Sequence, residues 1–394
     1  MTFSEFRHAR LAAVATVVPS HEVRLEDEIA HYGGDDAKLA RVKRIAGFDR
    51  RRVGPQHVTA SDLCVQAAER LLCETGTAPA SIDALIFVTQ TADYPIPATA
   101  CIQQNSLGLG RHCAAFDLNL GCSGYVYGLW LAACMIESRA RSRILLLAGD
   151  AGFGHLDPAN RITAPVFGDA GSASLIEYCE KETPLSFSLG TDGSGYEAII
   201  RPGGGARIPH LPADARGDAN GGPYMAEIRD MNGHPWRIGT FGNVWMDGPA
   251  VFDFTMSTVP AHIGAHLEHA GISPQFLEYL VLHQANKQIV QSLGRLTGFT
   301  PEQVPWETLA RYGNQSSASI PGTICDQLGG TCAGRDVRLM LCGYGIGLSW
   351  ASCLGVFPGL HICGIHNFVS SGQPVGREER MAYWHRKFKG EDNG

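Results

Sequence analysis

Five apolar runs, rich in leucine and β-branched residues, each stop at a polar or glycine residue and pass into a helix-like pattern. They are ALIFVTQ around Leu85, AAFDLNL before Gly121, ILLLAGD before Ala151, YLVLHQ before Ala285 and VRLMLCGYG before Ile346. Strands without polar alternation need cover on both faces, and the intervening helices supply it. An α/β fold with buried sheets follows. The order also repeats: SIDALIFVTQT resembles FLEYLVLHQAN, and RSRILLLAGD with FGDAGSASLIEY resembles RDVRLMLCGYG with IGLSWASCLGVF. This weak echo suggests an internal duplication dividing near Lys181–Ser186. The expected units are residues 1–185 and 186–357, with 358–394 an extension outside the core. Residues 201–239, rich in Gly, Pro, Asp and Arg, read as irregular structure capping a pocket.

Other function classes are disfavoured. Lys and Arg total 32 against 39 Asp and Glu, a formal charge of -7, which argues against general nucleic-acid binding. No stretch is apolar for long enough to span a bilayer. LAAVATVV after Arg10 imitates a signal peptide, but it ends at Pro19 and reads as a strand. The 12 cysteines include no CxxC pair, and several lie in apolar runs, which suits a reducing, cytoplasmic setting. His361, Cys363 and His366 offer metal ligands in the extension, a weak signal there.

Three junctions carry the chemistry. In FDLNLGCSGYVYGL a strand ends at Leu120, Gly121 permits a tight turn and Cys122 opens an apolar helix. A thiol at a helix N-terminus meets unpaired N–H groups that favour thiolate and can hold an oxyanion. The plainer reading is a buried structural cysteine. His283 ends the strand of YLVLHQAN, where α/β folds bind ligands, although it can equally cap its own helix. Asn314, in RYGNQSSASIPG, precedes a helix of small residues and can serve simply as its N-cap. The glycines of GYGIG at a strand end let backbone approach a ligand closely.

Together NLGCSGYVYGL, LHQAN, YGNQSSASIP and GYGIGLSW resemble, in order, the active-site motifs of β-ketoacyl-acyl-carrier-protein synthase III, a condensing enzyme of the thiolase superfamily. DYPIPATACIQQNSLG and VFGDAGSASL resemble further segments of that family, and the similarity runs from about Ala9 to Phe357. It implies a thiolase-like duplicated fold of two βαβαβ-type halves in five α-β-α-β-α layers. It also implies a two-fold dimer and catalysis without a cofactor. Cys122 would take an acyl group from acyl-CoA, with the N–H groups of Cys122 and Ile346 holding the oxyanion. Malonyl-acyl-carrier protein or malonyl-CoA would then lose carbon dioxide, and His283 and Asn314 would hold the enolate. By the same resemblance Arg161 stacks on the CoA adenine, Asn286 binds the pantetheine arm, and Ile96 enters the acyl pocket of a partner subunit.

The sequence departs from the family in three places. The tryptophan expected in HYGGDDAKLARVKRIAGF is missing, Gln288 replaces an arginine beside Lys287, and Pro249 replaces an asparagine. These changes suit a specialised member with another starter or carrier. The alternatives are an acyltransferase that moves the acyl group to an amine or hydroxyl without decarboxylation, a Cys-His-Asn hydrolase, a plant-type polyketide synthase and a non-catalytic partner subunit.

Overall fold

The computed structural model describes residues 1–32, 34–55, 57–152, 163, 165–209, 227–229, 235–237, 244–370 and 376–389. Eleven strands form its two main sheets. They are β1 (Phe3–Phe6), β2 (Ala9–Val18), β3 (Ala84–Val88), β4 (Ala114–Leu118), β5 (Arg143–Asp150), β6 (Ala170–Tyr178), β7 (Leu185–Thr191), β8 (Tyr279–Leu282), β9 (Val337–Gly345), β10 (Ser349–Phe357) and β11 (His361–Asn367). All five apolar runs are strands. One sheet runs β11-β2-β6-β5-β3-β4 and the other β1-β7-β10-β9-β8.

The same four-strand plan occurs twice. β2 is antiparallel to β6, β6 antiparallel to β5, and β5 parallel to β3. In the other sheet β7 is antiparallel to β10, β10 antiparallel to β9, and β9 parallel to β8. The strands that occupy equivalent places are the ones whose sequences echo each other.

Helices α1 (Ala60–Thr75), α2 (Gly124–Glu137), α3 (Gly248–Ala270), α4 (Lys287–Leu296) and α5 (Ser319–Thr323) complete the layers, and α6 (Arg377–Phe388) follows the last strand. Strand alternation sorts the core. Ala84, Ile86 and Val88 of β3 face inward with Val126 and Leu129 of α2, Ile320 of α5, and Leu339 and Leu341 of β9. Leu85 and Phe87 face outward against α1, while Met340 and Cys342 of β9 face outward against α3 and α4. The result is α1, sheet, α2 with α5, sheet, α3 with α4. This is the five-layered arrangement of the thiolase fold.

Two expectations need correction. Residues after Phe357 do not all lie outside the core: β11 pairs in parallel with β2, and Ile362 is buried in the central cluster. Its mixed polarity reflects an edge position, with one face packed and one rim open. At the other end, the strand expected at LAAVATVV is not the first one: β1 precedes it and pairs with β7 of the second sheet. Each terminus thus crosses to the sheet of the opposite half. Most of 201–239 lies outside the described residues. Within it 227–229 and 235–237 pair antiparallel.

Candidate active site

A cleft of about 300 Å³ opens between the two halves, and Cys122, His283, Asn314, Asn286 and Ile346 all line it. Its walls are otherwise mainly apolar, including Phe167, Met246, Phe252 and Tyr344. Ala46 lines the wall contributed by the segment where the resemblance led one to expect a tryptophan.

Cys122 lies in the turn between β4 and α2, where the Gly124 N–H donates to Gly121 O at 2.8 Å. The helix begins at Gly124, two residues later than the sequence suggests. The Ile346 N–H and the cysteine's own N–H act on the sulfur, and both favour its charged form. Burial outweighs them, with a further push from buried Asp150, and holds the thiol up at about 11. The N–H groups at this turn thus favour thiolate as the sequence suggests, but desolvation outweighs them. Gly345 explains how the second amide comes so close. Its φ is +152°, and a Cβ there would lie 3.0 Å from Cys122 Sγ.

His283 follows β8 and is 2 % exposed. Its N–H donates to Cys342 O at 2.9 Å, and its carbonyl accepts from Tyr344 Oη at 3.0 Å. The Tyr344 ring stands edge-on to the imidazole at 5.6 Å. Burial lowers the imidazole to about 3, offset only in part by the Ser316 backbone, so the ring is neutral. Its Nδ1 has no partner among the described residues.

Asn314 is tied into the site from both sides. Its N–H donates to Val166 O at 2.8 Å and its carbonyl accepts from the Gly168 N–H at 3.0 Å. The side-chain Oδ1 accepts from the Ser316 N–H at 2.9 Å, and among the described residues the amide NH₂ has no partner and is available to donate. Asn286 uses its Oδ1 to cap α4 through the Ile289 N–H at 2.8 Å, and among the described residues its NH₂ likewise has no partner.

The sequence reading passed over Asp150, which ends β5 fully buried. Its Oδ1 accepts from the Gln90 N–H at 2.8 Å and from the Thr89 and Thr91 hydroxyls at 3.3 and 3.2 Å. Its Oδ2 accepts from the Ser317 hydroxyl at 2.8 Å and the Ser317 N–H at 3.3 Å. One carboxylate thus joins the loop after β3 to the loop carrying Asn314. Ser316 was also missed; its left-handed backbone (φ 49°) accompanies a hydroxyl that favours ionisation of both Cys122 and Asp150. The available signal was a lone aspartate ending an otherwise apolar strand.

Other expected residues fall elsewhere. Ile96 is 84 % exposed and does not line this chain's cleft. Arg161 lies outside the described residues. Pro249 sits in the first turn of α3, whose N-cap Asp247 accepts from the Ala250 N–H at 3.0 Å, a place where proline costs no hydrogen bond. Lys287 packs its ammonium 4.2 Å from the centre of the Trp306 ring.

A thiol, a neutral imidazole, a free amide NH₂ and two backbone donors around one cleft can form and resolve a thioester and stabilise two oxyanions. Two family models match the chain: the 3-oxoacyl-[acyl-carrier-protein (ACP)] synthase III model over residues 116–193, and its C-terminal model over 267–356. A putative 3-oxoacyl-[acyl-carrier-protein] synthase 3 of Campylobacter jejuni is 31% identical, covering 91% of this chain and 96% of its own. The β-ketoacyl-[acyl-carrier-protein] synthase III of Symbiobacterium thermophilum is 33% identical over 79% of this chain and 87% of its own. Among solved structures, a 3-oxoacyl-(acyl-carrier protein) synthase from Burkholderia xenovorans superimposes with a TM-score of 0.82 at 34% identity, covering 93% of this chain and 99% of that one. The priming β-ketosynthase of the R1128 polyketide pathway, 24% identical with a TM-score of 0.74, shares the fold. The chain belongs to the β-ketoacyl-acyl-carrier-protein synthase III family of acyl-transferring condensing enzymes.

Proposed function

We propose that the enzyme loads an acyl group from acyl-CoA onto Cys122 and condenses it, with loss of carbon dioxide, with malonyl-acyl-carrier protein or malonyl-CoA. The observation that carries this reading is the convergence of Cys122, His283 and Asn314 on one cleft, with the Cys122 and Ile346 amides facing the sulfur. A thiol near 11 beside an imidazole near 3 makes a preformed ion pair unfavourable. The proton therefore leaves sulfur as the C–S bond forms, with His283 the neutral base available in the cleft. The two amides hold the oxyanion until CoA departs as thiolate and takes up that proton. In the second stage the malonyl C–C bond breaks, carbon dioxide leaves and the electron pair forms an enolate. Once proton exchange with solvent places the single His283 ring proton on the cleft-facing nitrogen, His283 and the Asn314 NH₂ donate to the enolate oxygen. The enolate carbon attacks the acyl carbonyl and expels Cys122 as thiolate, which takes a proton from solvent to restore the thiol, giving a β-ketoacyl thioester. Thiol, imidazole, amide and backbone suffice for these steps without a cofactor.

The mainly apolar cleft is lined by both Cys122 and Asn286, and it suits a pantetheine arm better than a charged acceptor. By family resemblance Arg161 would stack on adenine. The enzyme would act in the cytoplasm as a homodimer, with the loop bearing exposed Ile96 entering the partner's acyl pocket. Incubation with acyl-CoA and malonyl-acyl-carrier protein should yield carbon dioxide and a β-ketoacyl thioester in equal amounts. Acyl transfer without carbon dioxide would contradict the reading.

A further inference from the structure

A second group of reactive side chains lies outside the cleft, where the last turn of α1 meets edge strand β11. His361 and Cys363 are two residues apart on that strand and share a face. Cys363 packs against the outer cluster that includes α1. Glu74 comes to them from α1. The potential ligand atoms of Glu74, His361 and Cys363 all lie within 4.8 Å of one another, with His361 Nε2 at 3.3 Å from Glu74 Oε2. His366, which the sequence offered as a ligand, instead contacts the Cys363 carbonyl through Nε2 at 2.7 Å.

The surroundings hold these groups in place. Arg70 Nε donates to the other glutamate oxygen, Oε1, at 2.9 Å and leaves Oε2 facing the histidine. His361 is held in the sheet opposite Ala13, and the strand is irregular between Ile362 and Ile365, around Cys363. A cleft of about 560 Å³ lined by Glu74 and His361 provides an approach and room for water.

We propose that Glu74, His361 and Cys363 bind one divalent cation of the zinc class, with water as fourth ligand, and so clip β11 to α1. One sulfur, one imidazole nitrogen and one carboxylate oxygen form a donor set suited to tetrahedral Zn²⁺, whereas Mg²⁺ and Ca²⁺ require oxygen ligands. Binding replaces the Cys363 S–H bond with a sulfur–metal bond and releases that proton to solvent. Thiolate and carboxylate then balance the two positive charges.

Co²⁺ added to the chelator-stripped, full-length protein tests the site. One equivalent should produce a thiolate-to-cobalt charge-transfer band with visible bands of four-coordinate geometry, and Zn²⁺ should displace it. Cys122→Ala should keep the band, which separates this site from the cleft. Cys363→Ser should lose it, and Glu74→Gln, an exposed change compatible with folding, should weaken binding at least tenfold, as even outer partners of metal ligands are worth about that. No band in the unaltered protein, a band that survives Cys363→Ser, or undiminished affinity in Glu74→Gln would overturn the proposal.

Discussion

Asparagine at position 150 keeps the shape of the aspartate, removes its charge and replaces one acceptor oxygen with a donor NH₂. Each carboxylate oxygen accepts from a backbone N–H, that of Gln90 at Oδ1 and that of Ser317 at Oδ2. The hydroxyls of Thr89, Thr91 and Ser317 can turn to accept, but the two amides cannot. Whichever way the new amide sits, its NH₂ faces one of them, and a buried N–H left unpaired costs about 1–3 kcal/mol. Relief from burying a carboxylate offsets part of this, because burial already raises the pKa of Asp150. A fall of a few degrees in the melting temperature is expected. The effect on Cys122 runs the other way. Asp150 helps to raise its thiol, so Asp150→Asn should lower that pKa and speed alkylation of Cys122 at fixed pH. Calorimetry reads the first effect, and iodoacetamide labelling followed by peptide mass spectrometry of Cys122 reads the second. Unchanged stability together with an unchanged alkylation rate would refute the role given to Asp150.

Asn314→Ala should still accept an acyl group at Cys122 but release carbon dioxide from malonyl thioester on the order of 100-fold more slowly, because one donor to the enolate is lost; radiolabelled malonyl thioester reads both steps. Burial holds His262 and His266 at about 4 and His283 at about 3. Their neutral forms are favoured in the fold, so their stabilising effect is full above about pH 6.5 and falls as pH drops toward 4, by up to about 1.4 kcal/mol per pH unit for each. Urea unfolding midpoints between pH 7 and 5 should decline, and a flat profile would contradict burial of neutral imidazoles. Light scattering should give about twice the chain mass. Ile96→Phe should shift loading toward shorter acyl-CoAs and Ile96→Gly toward longer ones, each methylene contributing about 0.8 kcal/mol. An unshifted length profile would remove Ile96 from the pocket.

Much of this was legible because the signals are local and repeated. Continuous apolar runs identified β3, β4, β5, β8 and β9, and the paired echoes matched strands that occupy equivalent places in the two sheets. Cys122, His283 and Asn314 stood out because chemistry-bearing residues at strand-to-loop junctions depart from simple patterning. What stayed hidden depends on tertiary context. How strongly burial opposes ionisation of Cys122 depends on the groups the fold packs around it, which a helix N-terminus in the sequence does not report. Asp150 resembled an ordinary strand end, because its partners come from residues 89–91 and 317. β11 was missed because an edge strand needs only one apolar face, and Glu74 lies 287 residues from the histidine it meets.

The central claim is that Cys122 carries the acyl group. Intact-protein mass spectrometry after incubation with a panel of acyl-CoAs tests it most directly. The unaltered enzyme should gain the mass of one acyl group from a suitable thioester, the label should be released by hydroxylamine, and Cys122→Ala should gain nothing. An alanine variant that still carries the thioester would move the nucleophile to another cysteine and contradict the account.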